Sequence, residues 1–206
     1  MTSPATIAAL AANGVRVSAG RTDATYAELQ VALDHGVTGF THLFSAMSPL
    51  GSREPGAVGA ALTHTDSWCG ITVDGHHVDP VVLRLALACK RHDRFMLVTD
   101  AMPSVGCSQD HFMLQGRHIE VREGRCIDAN GTLSGSDLDM ATAVRNAVAM
   151  LGLALEDAVR MASTWPAEFL GLGHELGWIA PGYRANLVLA DASMHILQTW
   201  IDGEVG

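Results

Sequence analysis

Four short apolar runs, Val15–Ala19, Gly39–Leu43, Trp68–Val73 and Phe95–Thr99, constrain the fold more than any other feature of this chain. Each is too short for a typical helix, and each gives way to polar residues. A strand that reads apolar without alternation is buried on both faces, as in a parallel sheet covered by helices. Helical signals fill the intervals. Thr25-Tyr26-Ala27-Glu28 has the spacing of a capping box, with Tyr26, Leu29 and Leu33 as its apolar stripe. Asp79-Pro80 places a cap and a first-turn proline ahead of Val82, Leu85, Ala86 and Cys89. Strand and helix alternate, so successive strands are expected to run parallel, joined by right-handed crossovers. The fold class expected is α/β.

After Asp100 the pattern changes. His111–Asp128 reads as antiparallel strands broken at Gln115-Gly116 and Glu123-Gly124. Gly131–Ser136 reads as a flexible polar loop. A helix is predicted from about Asp137 to Met150, with Ala141, Val144, Val148 and Leu151 as its stripe, followed by helices over Leu155–Ala162 and Pro166–Leu170. The tail returns to strands, Ala185–Leu189 and Ile196–Ile201, with turns at Pro181-Gly182 and Asp202-Gly203. The first residues carry a cap at Ser3 or Thr2 and then Pro4, which predicts a helix rather than a signal peptide.

Composition narrows the partners. A length of 206 residues permits one domain with a real core, and no apolar run approaches membrane-spanning length. A net charge of −9 argues against nonspecific nucleic-acid binding, although one local arginine suffices to hold a phosphate. Cys69, Cys89, Cys107 and Cys126 show no metal-site spacing, so free thiols in a reducing cytoplasm are expected.

Active sites of parallel α/β folds form at the carboxyl ends of the strands. Those ends carry Arg21, His42, Asp74-Gly75-His76-His77 and Asp100. On an extended strand Phe40, His42 and Phe44 would share one face, making His42 either a metal ligand or a core histidine. Asp100 reads as a general base or as the cap of the following turn. His77 reads as a substrate contact or a loop support, and His76, of opposite parity, as structural. Arg53, in a loop bounded by glycine and proline, suits phosphate capture or an ion pair with Glu54. The other histidines (His35, His64, His92, His111, His118, His174 and His195) read as surface residues.

The ordered motifs SAG-x-x-x-AT from Ser18, THLFSAM from Thr41, REPG from Arg53, DGHHV from Asp74, LVTDA from Leu97, GTLSGS from Gly131, AVRN from Ala143 and GWIAPG from Gly177 carry a resemblance. The chain resembles the C-terminal half of the N-acetylglucosamine-6-phosphate deacetylases, within the amidohydrolase superfamily. The resemblance implies the last four strands of a (β/α)8 barrel over residues 1–173, with a β-hairpin insertion near 110–128. Residues 174–206 would form strands of a small β-sandwich. It implies hydrolysis of N-acetyl-D-glucosamine 6-phosphate to D-glucosamine 6-phosphate and acetate by water on a divalent metal, often zinc. Asp100 matches the catalytic acid/base and His42 a metal-binding histidine. Arg53 matches a phosphate contact, reached in some members across a dimer interface. His77, Ser45, Ala46, Leu133, Ser134, Gly135 and Ser136 match other substrate-contacting positions.

Two departures stand against those matches. Arg21 falls where the family has its second metal histidine, and a guanidinium offers no lone pair. The family's carboxylate ligand lies in an N-terminal half that this sequence does not contain. A (β/α)8 barrel takes about 250 residues, so four strands leave two open edges. The expectation is that a complementary N-terminal half covers them, or a second copy pairs in a homodimer, or the chain survives as an open sheet. The alternative expectation is a non-catalytic remnant, or a half-barrel that binds sugar phosphate after losing its metal.

Overall fold

The computed structural model describes residues 2–206, and in it the four apolar runs form one parallel sheet in chain order. Its strands are β1 (Val17–Ala19), β2 (Val37–Phe40), β3 (Trp68–Ile71) and β4 (Phe95–Leu97). Helix α1 (Pro4–Ala12) precedes the sheet, capped by Ser3. Helices α2 (Tyr26–Asp34), α3 (Gly56–Thr63) and α4 (Pro80–Cys89) make the crossovers. Thr25 and Glu28 close the expected capping box, and Asp79 caps α4. In α3 every residue from Gly56 to Ala61 is buried, because small side chains let the helix lie close to the sheet. Lys90 ties the ends of α3 and α4 together. Its Nζ donates to the carbonyls of Ala61 (2.8 Å) and His64 (2.6 Å) and to Ser67 Oγ (2.9 Å).

Helices α5 (Met140–Leu151), α6 (Leu155–Ala162) and α7 (Thr164–Leu170) pack beside β4. Together they extend the core formed by Phe40, Ile71, Leu83 and Phe95 with Val144, Ala147 and Met161. Strands β5 (His111–Leu114), β6 (Arg117–Arg122), β7 (Arg125–Asp128) and β8 (Leu133–Ser136) form an antiparallel sheet. A third sheet, in the order β11-β10-β9, comprises β9 (Leu187–Ala190), β10 (Ile196–Ile201) and β11 (Glu204–Val205). No helix among the described residues is long and apolar enough to cross a membrane.

Several expectations are corrected. Strand β2 ends at Phe40, so Phe40, His42 and Phe44 do not share a strand face. The chain turns at once, with the Ser45 amide donating to the His42 carbonyl (2.8 Å) and His42 and Phe44 both at positive φ. Helix α4 buries Leu83, Ala86 and Leu87, whereas Leu85 is 63% exposed and Cys89 is exposed. Its sequence is apolar nearly all round, so periodicity could not choose the face. The loop expected at Gly131–Ser136 contains strand β8. Helix α5 starts at Met140 because Asp139, not a residue before Asp137, caps it through the Thr142 amide (2.8 Å). Helix α7 starts at Thr164, two residues before the proline, and β9 at Leu187.

Candidate active site

Three strands of the parallel sheet hand over to a residue in a disfavoured conformation. Arg21 follows β1 at φ 46°, His42 follows β2 at φ 51°, and Asp100 follows β4 at φ 52°. None is glycine. Sparsely populated backbone conformations of this kind cost about 1–3 kcal/mol each and concentrate at functional sites. The fourth strand, β3, continues through buried Thr72 and Val73 to Asp74. Asn146 of α5 anchors that end, its Nδ2 donating to the Val73 carbonyl (2.8 Å).

The side chains at these ends form a line. His42 Nε2 lies 3.9 Å from Asp100 Oδ1, and His77 Nε2 lies 3.5 Å from Asp100 Oδ2. The other ring nitrogen of His77, Nδ1, donates to Asp74 Oδ2 at 2.6 Å. Asp74 Oδ1 accepts the backbone amides of His76 and His77, both at 2.9 Å. Side-chain exposure falls along the line from 25% at His42 and 19% at Asp100 to 8% at His77 and 4% at Asp74. His42 and Asp100 are therefore the most accessible members of the line.

Charge follows this geometry. The bond to Asp74 raises the His77 pKa above the ordinary histidine value. The charges of Asp74 and Asp100 act in the same direction, against burial and the Arg21 guanidinium. Burial alone would raise the Asp74 pKa. Hydrogen bonds from the His77 ring and from the two amides outweigh it, and the carboxyl sits below its usual range.

Strand β8 straps the end of β4. The Ser136 amide donates to the Asp100 carbonyl (2.9 Å), and the Met102 amide donates to the Ser136 carbonyl (2.9 Å). The Ser136 hydroxyl is buried and engaged, donating to the Thr99 carbonyl (2.5 Å) and accepting the Leu138 amide (3.1 Å). Leu133 and Ser134 are half-buried and Gly135 is buried beside Met102. Ser45 is half-buried and Ala46 exposed in the turn after His42. Arg53 is exposed, and among the described residues it enters no ion pair. Glu54 is otherwise engaged, accepting the amides of Tyr26 (2.8 Å) and Gly56 (2.9 Å). The structure thus brings His42, His77, Asp100 and the β8 backbone together, whereas no hydrogen bond or ion pair ties Arg53 to them. His76 reaches away, its Nε2 3.0 Å from the Glu123 carbonyl oxygen.

The sequence reading missed the second oxygen of Asp74. The signal was present in the i, i+3 spacing of Asp74 and His77 across a glycine turn.

These donors do not fit a divalent metal. Among the described residues no group of three or more His, Cys, Asp or Glu side chains is placed to hold an ion. A catalytic zinc site takes three protein ligands, and Arg21 supplies a fixed positive charge instead of a lone pair.

The profile of the amidohydrolase family matches residues 2–206. The chain is 43% identical over 203 residues to the N-acetylgalactosamine-6-phosphate deacetylase of Shewanella sp. (strain ANA-3), a match covering 98% of this chain and 51% of that protein. It is 35% identical over 196 residues to the N-acetylglucosamine-6-phosphate deacetylase of Vibrio furnissii, covering 95% and 49%. The crystal structure of N-acetylglucosamine-6-phosphate deacetylase from Pasteurella multocida superposes with a TM-score of 0.94 at 39% identity, over 98% of this chain and 53% of that one. The chain spans about half the length of these relatives.

Proposed function

The chain belongs to the amidohydrolase family, and on that premise we propose that it carries the acid–base side of a site hydrolysing an N-acetylated hexosamine 6-phosphate to the free amine and acetate. The relatives' names support this substrate class and span both configurations, glucosamine and galactosamine. The single observation that carries the reading is Asp100, a reachable carboxylate at a strained strand end, with its two oxygens turned toward His42 and His77.

Amide hydrolysis needs a base for water, positive charge near the developing oxyanion, and a proton for the leaving nitrogen. Asp100 takes a proton from the attacking water as the new C–O bond forms. It returns that proton to the nitrogen as the C–N bond breaks, so the carboxylate is regenerated. His77 presents Nε2 beside it as a donor to the substrate. Arg53 takes the phosphate, which a guanidinium matches with paired N–H donors. Ser45, Ala46, Leu133, Ser134 and Gly135 line the sugar. Ser136 contributes by fixing the backbone there.

In this reading β1–β4 are the last four strands of a (β/α)8 barrel over residues 1–173, with the hairpin region 110–128 as an insertion. Residues 174–206 belong to a small sandwich. The superposition on just over half of a longer deacetylase supports reading the chain as part of a larger fold of that kind. A divalent ion belongs to the expectation from resemblance, but this chain's own donors do not assemble its ligands. A cytoplasmic setting agrees with four unpaired cysteines.

Acetate release from the two N-acetylhexosamine 6-phosphates, glucosamine and galactosamine, tests the reading and ranks the epimers. Asp100→Asn is expected to lower kcat by about 10²–10⁴-fold with the fold intact by circular dichroism. Release undiminished in Asp100→Asn would remove the proposed role. Sugar-phosphate binding without acetate release by the unmodified protein would instead favour a non-cleaving pocket, the reading Arg21 favours.

A further inference from the structure

We propose that Asp74 is a positioning residue for this reaction, clamping the His77 ring by Nδ1 so that its Nε2 alone faces the Asp100 carboxylate. The catalytic consequence rests on the hydrolytic reading above; the clamp itself does not.

The argument lies in the two oxygens of one carboxylate. Oδ1 accepts the amides of His76 and His77, which is all that a polar turn before α4 requires. Oδ2 does something a turn does not need, since it accepts the His77 Nδ1–H at 2.6 Å. Both side chains are nearly sealed from solvent, so the bond is not diluted by water. A neutral imidazole carries one N–H, and Asp74 claims it for Nδ1. The remaining nitrogen would then turn a lone pair toward Asp100 Oδ2, 3.5 Å away. Two electron-rich atoms repel at that distance, so the ring gains by taking a second proton at Nε2. Asp74 therefore makes His77 a cationic donor beside the acid/base, and not merely a buried histidine. The charged groups acting on the ring are Asp74 and Asp100, which favour the cation, and Arg21, which opposes it. Orienting carboxylates play this part for histidines in metal and hydrolase sites generally.

Asp74→Asn isolates the clamp. The asparagine carbonyl can keep both amide bonds of the turn while its NH2 replaces Oδ2, donating to Nδ1 and forcing the proton onto Nε2. Imidazole 15N NMR of the whole chain reads this directly, with the His77 signal assigned by its loss in His77→Gln. In the unmodified protein Nδ1 is expected to stay protonated, and the imidazolium to persist above about pH 6.5, the ordinary histidine value. In Asp74→Asn the Nδ1 proton is expected to be lost above that pH. With N-acetylglucosamine 6-phosphate as substrate, kcat is expected to fall about 10- to 100-fold and KM to move less. An unchanged Nδ1 signal in Asp74→Asn would overturn the clamp whatever the kinetics. A lost signal with undiminished acetate release would overturn its role in the reaction. If the unmodified protein releases no acetate but the Nδ1 signal is still lost in the variant, the hydrolytic reading falls and the clamp stands.

Discussion

Arg21, His42 and Asp100 occupy the left-handed region just after β1, β2 and β4 of one parallel sheet. Arg21 is exposed and enters no ion pair among the described residues, so its strain has no local compensation. Arg21→Gly should relieve a left-handed penalty of about 1–2 kcal/mol while adding about 0.5–1 kcal/mol of unfolded-state entropy, for a small net gain in the urea midpoint. Arg21→His keeps the strain but adds an imidazole near His42. Zinc titration should show tighter binding than in the unmodified chain, and equal binding would remove the ligand argument. The Asp74–His77 pair gives a second residue-scale test. The raised His77 pKa contributes stability in full below about pH 6.5, lost as pH rises through its folded value. The lowered Asp74 pKa contributes stability above about pH 4, lost as pH falls through its folded value. The stability gap between the unmodified protein and Asp74→Asn should therefore be widest from about pH 4 to 6.5 and narrow on both sides. His42, His77 and Asp100 could be read from sequence because each lies within a few residues of the carboxyl end of an apolar run. The clamp could not be ranked, because an Asp before a glycine turn is ordinary until its second oxygen is placed.

Elements were legible where their signals are local. The capping box at Thr25, the Asp79-Pro80 start and the hairpin breaks at Gln115-Gly116 and Glu123-Gly124 all stand where the residues put them. Strand β8 was not legible. Its partners are β7 and the residue after Asp100, and its Thr-Leu-Ser-Gly-Ser composition imitates a loop. Gly135 is the tightest point of that strap. At φ 115°, an added Cβ would collide with Met102 Cε, lie 2.6 Å from Met102 Cγ and sit 3.0 Å from the Asp100 carbonyl. Gly135→Ala should cost about 1–3 kcal/mol and loosen the Ser136 amide, read by denaturation and by hydrogen exchange. Lys90 tests the opposite end of the sheet. Lys90→Met would leave the Ala61 and His64 carbonyls without their donor, at about 2–3 kcal/mol, with little change at the strand-end cluster. A matching loss of acetate release at temperatures where the variant stays folded would contradict that separation.

At the scale of the molecule, the parallel sheet formed by the described residues is open at both edges. Among the described residues, β1 pairs only with β2, and β4 with β3, apart from the bridge from Ala101 to Ser136. The third sheet presents Val188, Leu189, Ile196, Leu197 and Ile201 to solvent, and Trp178 and Ile179 are exposed nearby. Between that sheet and α5–α7 lies a cavity of about 960 Å³ lined by Met140, Val159, Leu170, Trp178 and Val188. Large exposed apolar side chains clustered beside such a cavity suit an interface, and open strand edges are templates for pairing. The Shewanella and Vibrio furnissii relatives are about twice as long as this chain, so a segment like their unmatched half is the occupant to test. That half of the Vibrio furnissii enzyme, co-expressed as a separate polypeptide, should co-purify with this chain at a one-to-one ratio. It should raise the Tm and lower binding of the apolar dye ANS, because pairing at the open strand edges and cover over the exposed apolar residues both remove dye-accessible surface. A monodisperse monomer that binds no dye and ignores the added half would mean that the exposed strands are satisfied as they stand. The strained line from His42 to Asp74 would then have to work within this chain alone.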